Sequence, residues 1–126
     1  MAVDGSGLIH VSNPGRHCVE TYTAAGELQE SWGDSSLDMD GFSGCCNPTD
    51  IALLPDGRVV TAEKGIPRVK ICGVDGSLKS VVATQKELSP GVVGLDLAVD
   101  AKGRIYVLDP GINAVRVFVE KDTKKK

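Results

Sequence analysis

Apolar residues in this chain come in short alternating runs, separated by turns rich in Gly, Pro, Asp and Asn. Val, Ile, Leu and Thr dominate the runs, which is how strands read. Leu8–Ser12, Arg58–Ala62 and Arg104–Leu108 form one set, and Cys18–Tyr22, Arg68–Ile71 and Ala114–Val119 form the next. Leu28–Trp32 and Leu78–Ala83 follow the turns Ala25-Gly26 and Asp75-Gly76. Asp50–Leu54 and Asp96–Asp100 lead into Pro55-Asp56-Gly57 and Ala101-Lys102-Gly103, where Gly supplies a positive φ at little cost. No window carries a helical period. Thr84–Glu87 has room for one helical turn and reads better as a loop between runs.

The pattern repeats. Gly7, Gly57 and Gly103 align at spacings of 50 and 46 residues. In that register Ala2, Ala52 and Ala98 coincide, as do Ile9, Val59 and Ile105, and then Val19, Val69 and Val115. A period of this size marks a solenoid, propeller or array. Four short antiparallel strands per period describe a propeller blade. The expectation is an all-β fold of about three four-stranded blades over residues 1–120: residues 2–33, 48–84 and 94–120. Met1–Val3 offers only the end of a first innermost strand, and nothing after Glu120 looks like a fourth strand for the last blade. Such a stack leaves two blade faces and unpaired strand edges open. It is expected to belong to a larger propeller, to pair with a second copy of itself to complete a ring, or to form an open array.

Asp and Glu outnumber Lys and Arg, 17 to 14, so there is no general attraction to nucleic acid or to anionic membranes. The one basic run, residues 121–126, reads as a solvated tail. No stretch is long enough to span a bilayer, and no basic leader followed by an apolar run marks a signal peptide. Cys18, Cys45, Cys46 and Cys72 are too few and too irregular for a disulfide scaffold. They fix no compartment: periplasmic, secreted and cytoplasmic locations all stay open.

Ala98-Val99-Asp100, Gly103–Asp109 and Asn113–Phe118 together resemble the NHL repeat of β-propellers, with looser copies upstream that carry Glu63 and Asn13 where the third has Asp109. The resemblance covers nearly the whole chain and implies about six blades in a complete ring, half of which this chain supplies. The family includes protein-binding platforms, RNA-binding domains and a metal-using amidating lyase. The lyase's histidines have no set of counterparts, since only His10 and His17 are present, and RNA binding relies on a basic surface that this chain lacks. The resemblance also implies a ligand face near the channel mouth. That face would gather Gly41–Pro48 with the loops Asn13–His17, Glu63–Pro67 and Asp109–Asn113. Candidate ligand-binding residues there are Asn13, Cys45, Cys46, Asn47, Glu63, Lys64, Arg68 and Asp109.

Cys45 and Cys46 are adjacent, with Cα atoms about 3.8 Å apart where ordinary disulfides prefer roughly 4.4–6.8 Å. Three readings stay open: small residues filling a tight corner, a strained redox pair or soft ligands for zinc or copper(I), and a disulfide to Cys18. His17 and Cys18 are the candidates to complete a metal site with the pair. Calcium at the column Asn13, Glu63 and Asp109 would need converging oxygens. The plainer role of that column is bonding amides of the following loop. Glu63, Lys64 and Arg68 suit an anionic or zwitterionic ligand or, more simply, an exposed ion pair. Lys64 as a catalytic amine would need burial. His10 reads as a tolerated strand residue, Trp32 as packing between blades, and Asp34–Gly41 as a polar surface flap. The functional expectation is a non-catalytic module that presents loops to a protein or small ligand. The alternative is a thiol redox or metal-binding module at Cys45 and Cys46. A hydrolase or lyase ranks last, because no nucleophile–base set is visible.

Overall fold

A computed structural model describes residues 1–44 and 46–121. The chain is all-β, and no described helix is long and apolar enough to cross a membrane. Among the described residues eleven strands run in chain order: β1 Ala2–Val3, β2 Ile9–Asn13, β3 Cys18–Tyr22, β4 Leu28–Trp32, β5 Asp50–Leu53, β6 Val59–Glu63, β7 Arg68–Cys72, β8 Leu78–Ala83, β9 Asp96–Val99, β10 Ile105–Asp109 and β11 Ala114–Phe118. They pair antiparallel with their chain neighbours into three sheets, β1-β2-β3-β4, β5-β6-β7-β8 and β9-β10-β11. The second strand of each sheet begins and ends one residue later than its apolar run suggests, because the polar residues Asn13, Glu63 and Asp109 still pair in the ladder. The basic run read as a tail falls almost wholly outside the described residues.

The alternation that builds the strands also builds the stack. In the second sheet Ile51, Leu53 and Val59 point back towards the first sheet, where they meet Val19, Trp32 and Phe42. Ala52, Val60, Ala62, Val69, Ile71 and Ala83 point forward. They pack against Leu97, Val99, Ile105, Val107 and Phe118 of the third sheet, with Leu88, Val92 and Leu95 of the intervening loop. The sheets approach one another chiefly through their leading strands: β5 lies against β1, β2 and β9. Asp50 fixes that contact, its carboxylate accepting the Leu97 N–H at 2.9 Å. Trp32 sits half-buried between the first two sheets, with its ring centroid 6.1 Å from that of Phe42.

Asp4 and Asp100 close equivalent turns. Asp4 accepts the N–H groups of Ser6 and Leu8, and Asp100 those of Lys102 and Arg104. Their other oxygens take His10 at 2.8 Å and the Tyr106 hydroxyl at 2.9 Å. His10 is therefore buried strand structure, bonded on its other nitrogen to Thr21 at 3.2 Å.

Candidate functional site

The loops that join second to third strands emerge at the same end as the long connections between sheets. This follows from the register: Asn13 pairs with Cys18, and Val19 with Trp32, whose connection leaves next. At this end the sequence placed most of its chemistry, and the structure shows what each side chain does.

Glu63 closes β6 and Arg68 opens β7. Thr61 pairs with Lys70, so strand alternation turns Glu63, Arg68 and Lys70 to the face shared with the first sheet. All three are buried. Buried charges persist only when paired and hydrogen-bonded, and here every one is. Glu63 Oε1 accepts Arg68 Nη2 at 2.6 Å and the Ser43 N–H at 3.1 Å. Its Oε2 accepts Arg68 Nε at 3.1 Å and Lys70 Nζ at 2.9 Å. Burial lowers the pKa of the Lys70 ammonium, and Glu63 pulls in the opposite direction.

The remaining donors of the two cations reach across to the long loop. Arg68 donates to the carbonyls of Leu37, Asp38 and Gly41, and Lys70 to those of Met39 and Gly41. Lys70 also stands 4.6 Å above the Phe42 ring. The segment Asp34–Gly41, expected as a flap, is thus a strap pinned by two buried cations. Glu63 and Arg68, expected at their plainest as an exposed pair, are interior. The reason is physical: backbone carbonyls in a loop are acceptors whatever the side chains, and a polar composition hides that.

Asn47 is buried and acts as a second pin. Its Nδ2 donates to the carbonyls of Ser43 and Lys64, and its Oδ1 accepts the Lys64 N–H at 2.8 Å. Lys64 enters through its backbone. Asp109 repeats the Glu63 arrangement one sheet on. It accepts the Ser89 N–H at 3.0 Å, Arg116 Nε at 3.0 Å and the Gly111 N–H at 3.0 Å. In the first sheet the column holds Asn13, which donates to Glu20 at 3.2 Å beside Tyr22. Asn13, Glu63 and Asp109 do not converge: each bonds within its own sheet, and Glu63 and Asp109 also hold the linker that leads into it. Only Asp109 bonds an amide of the loop that follows it. The partners that sequence reasoning passed over, Glu20, Lys70 and Arg116, share one repeat column, and Ser43 and Ser89 are 46 residues apart, the repeat spacing itself. That spacing was the available signal.

Of the thiol candidates, Cys45 lies outside the described residues. Cys18 and Cys72 are buried thiols whose pKa is raised by burial, and Cys46 is half-buried. His17, held in a left-handed backbone conformation, bonds the Gly44 carbonyl at 2.7 Å. Among the described residues no three His, Cys, Asp or Glu side chains gather as a metal site. Among what this end leaves outward are Ile66 and Ile112, one repeat apart at the tips of equivalent loops and 46% and 51% exposed, while Arg16 holds their column in the first sheet.

Asp109 makes acid sensitivity predictable. Burial raises its pKa, but the Ser89 and Gly111 amides and the Arg116 guanidinium lower it more, so it ends below the ordinary 3.8. Its contribution is therefore complete above that value and is lost as pH falls below it. Asp109→Asn should cost about 1.5–3 kcal/mol at neutral pH. The gap from the wild type should narrow below pH about 4, as urea midpoints at pH 7, 4 and 3 would show. A gap that stays constant would contradict this assignment.

Compared with known proteins, the chain matches no family model and no curated sequence.

Proposed function

We propose that the chain is a non-catalytic, NHL-type β-propeller segment that binds a protein or small ligand through the loops at the strap end. The NHL reading rests on the repeat residues, and the propeller reading on the way successive sheets stack through β1, β5 and β9. The observation that carries the function is the pair Ile66 and Ile112. Surface isoleucines are unremarkable singly, but these two occupy one repeat column on neighbouring loops. Beneath them, Glu63, Arg68, Asn47 and Asp109 are engaged in holding backbone and act as the platform that fixes loop position. A rigid platform with exposed apolar tips suits recognition of an apolar side chain or ring, with little ordering cost on binding.

A displayed random-peptide library selected against the folded chain tests this. Selected peptides should carry aliphatic or aromatic anchors and lose roughly tenfold or more in affinity for the Ile66→Asp/Ile112→Asp variant. Peptides that bind both forms equally would sink the reading.

A further inference from the structure

We propose that the forward face of the third sheet docks the first sheet of a second copy of this chain, head to tail, so that two copies close a ring. This rests on the propeller reading above and names the partner.

The chain already makes this contact twice within itself. In the second sheet the forward residues Ala62, Val69 and Ile71 are 0%, 0% and 3% exposed, covered by the third sheet. Their counterparts one repeat later, Leu108, Val115 and Val117, are 39%, 56% and 51% exposed. Ala98 and Tyr106 complete the same face, in the columns of Ala52 and Val60. The surface is shaped and composed for a sheet of this repeat.

The receiving face exists too. In the second and third sheets Leu53 with Val59, and Val99 with Ile105, are packed against the preceding sheet. In the first sheet the same columns hold Val3 and Ile9; Val3 is 64% exposed. A polar fixture matches as well. Asp50 accepts the Leu97 N–H from the next sheet. Asp96, exposed, is the counterpart of Asp50, and Met1 falls in the column of Leu97. Asp96 would therefore take the backbone nitrogen of Met1 in the incoming copy. Edge pairing is the competing route, and it is disfavoured: joining two β11 strands about their centre would set two copies of Arg116 opposite each other.

A heterologous contact either closes or grows without limit. If three sheets sweep half a turn, two copies close with both contacts made. Sedimentation equilibrium of the purified chain should show a monomer–dimer equilibrium and no larger species. Val117→Glu and Val3→Glu, both at exposed positions, should keep the circular-dichroism spectrum. Each should raise the dissociation constant roughly 100-fold or more, because an unpaired charge enters both contacts. Mixing the two variants should give a pair tighter than either variant forms alone yet weaker than the wild type, since one contact is then intact and both charges meet in the other. A face-to-face or edge-paired dimer would not be rescued by mixing, and that result overturns the proposal. So does a dimer indifferent to Val117→Glu, growth beyond two copies, or a folded monomer at every concentration. A monomer that still binds the selected peptides through Ile66 and Ile112 would remove the self-docking and leave the binding role standing.

Discussion

Glu63→Ala is expected to destabilise the chain by about 3–5 kcal/mol, the scale for stripping one partner from a buried ion cluster. The substitution leaves Arg68 and Lys70, 5% and 1% exposed, facing carbonyls, the Met39 sulfur and an aromatic ring, with no carboxylate partner. Domains of this kind hold a total of about 5–15 kcal/mol, so the variant should have a much lower urea midpoint and sit near the edge of folding at ambient temperature. A second variant separates charge from shape. Replacing all three residues at once (Glu63→Leu, Arg68→Met, Lys70→Met) removes the desolvation cost along with the pairing and should be close to neutral in global stability. It should nonetheless release the strap, because the carbonyls of Leu37, Asp38, Met39 and Gly41 lose their donors. Limited proteolysis between residues 34 and 40 would then accelerate while the urea midpoint held. A triple variant as unstable as Glu63→Ala would show that the cluster contributes more than it costs.

Phe42→Ala should cost about 3–5 kcal/mol, as deletion of a buried aromatic does. Phe42 is 2% exposed and plugs the gap between Val19 and Trp32 on one side and Ile51 and Val59 on the other. Part of the loss should couple to Lys70: a double-mutant cycle with Lys70→Met is expected to return about 0.5–2 kcal/mol, the range for a cation over a ring out of water. Leu88, in the same repeat column and 3% exposed, gives the comparison without the cation. Leu88→Ala should cost about 2–5 kcal/mol, and a cycle with Arg116→Met should return nothing measurable.

The strands were legible because period-two alternation bounded by Gly and Asp turns is a local signal. Leu28–Trp32 and Leu78–Ala83 could be read to the residue. Lys70 was not legible as a core residue, because a lysine in a strand usually marks the wet face. Only the column it shares with Glu20 and Arg116 hints that this position supplies a charged partner to the polar residue that ends the second strand of each sheet. The loop before the second sheet was harder still. Its Ser and Asp content says water, whereas its backbone carbonyls are held by side chains some thirty residues further on. No window of local sequence contains that information.

The bonds Ser43 to Glu63 and Ser89 to Asp109 carry a consequence for how such a chain can grow or be cut. Each sheet clasps the segment that arrives from its predecessor, so the heritable module is not a sheet alone but a sheet together with its incoming linker. Residues 34–83 form one such module. A recombination joint just after the fourth strand passes every clasp on intact, whereas one placed between linker and sheet would strand a charged carboxylate in the interior. Neighbours are thereby tied pairwise, as in nearest-neighbour descriptions of repeat arrays, and melting should travel along the stack in steps set by these joints.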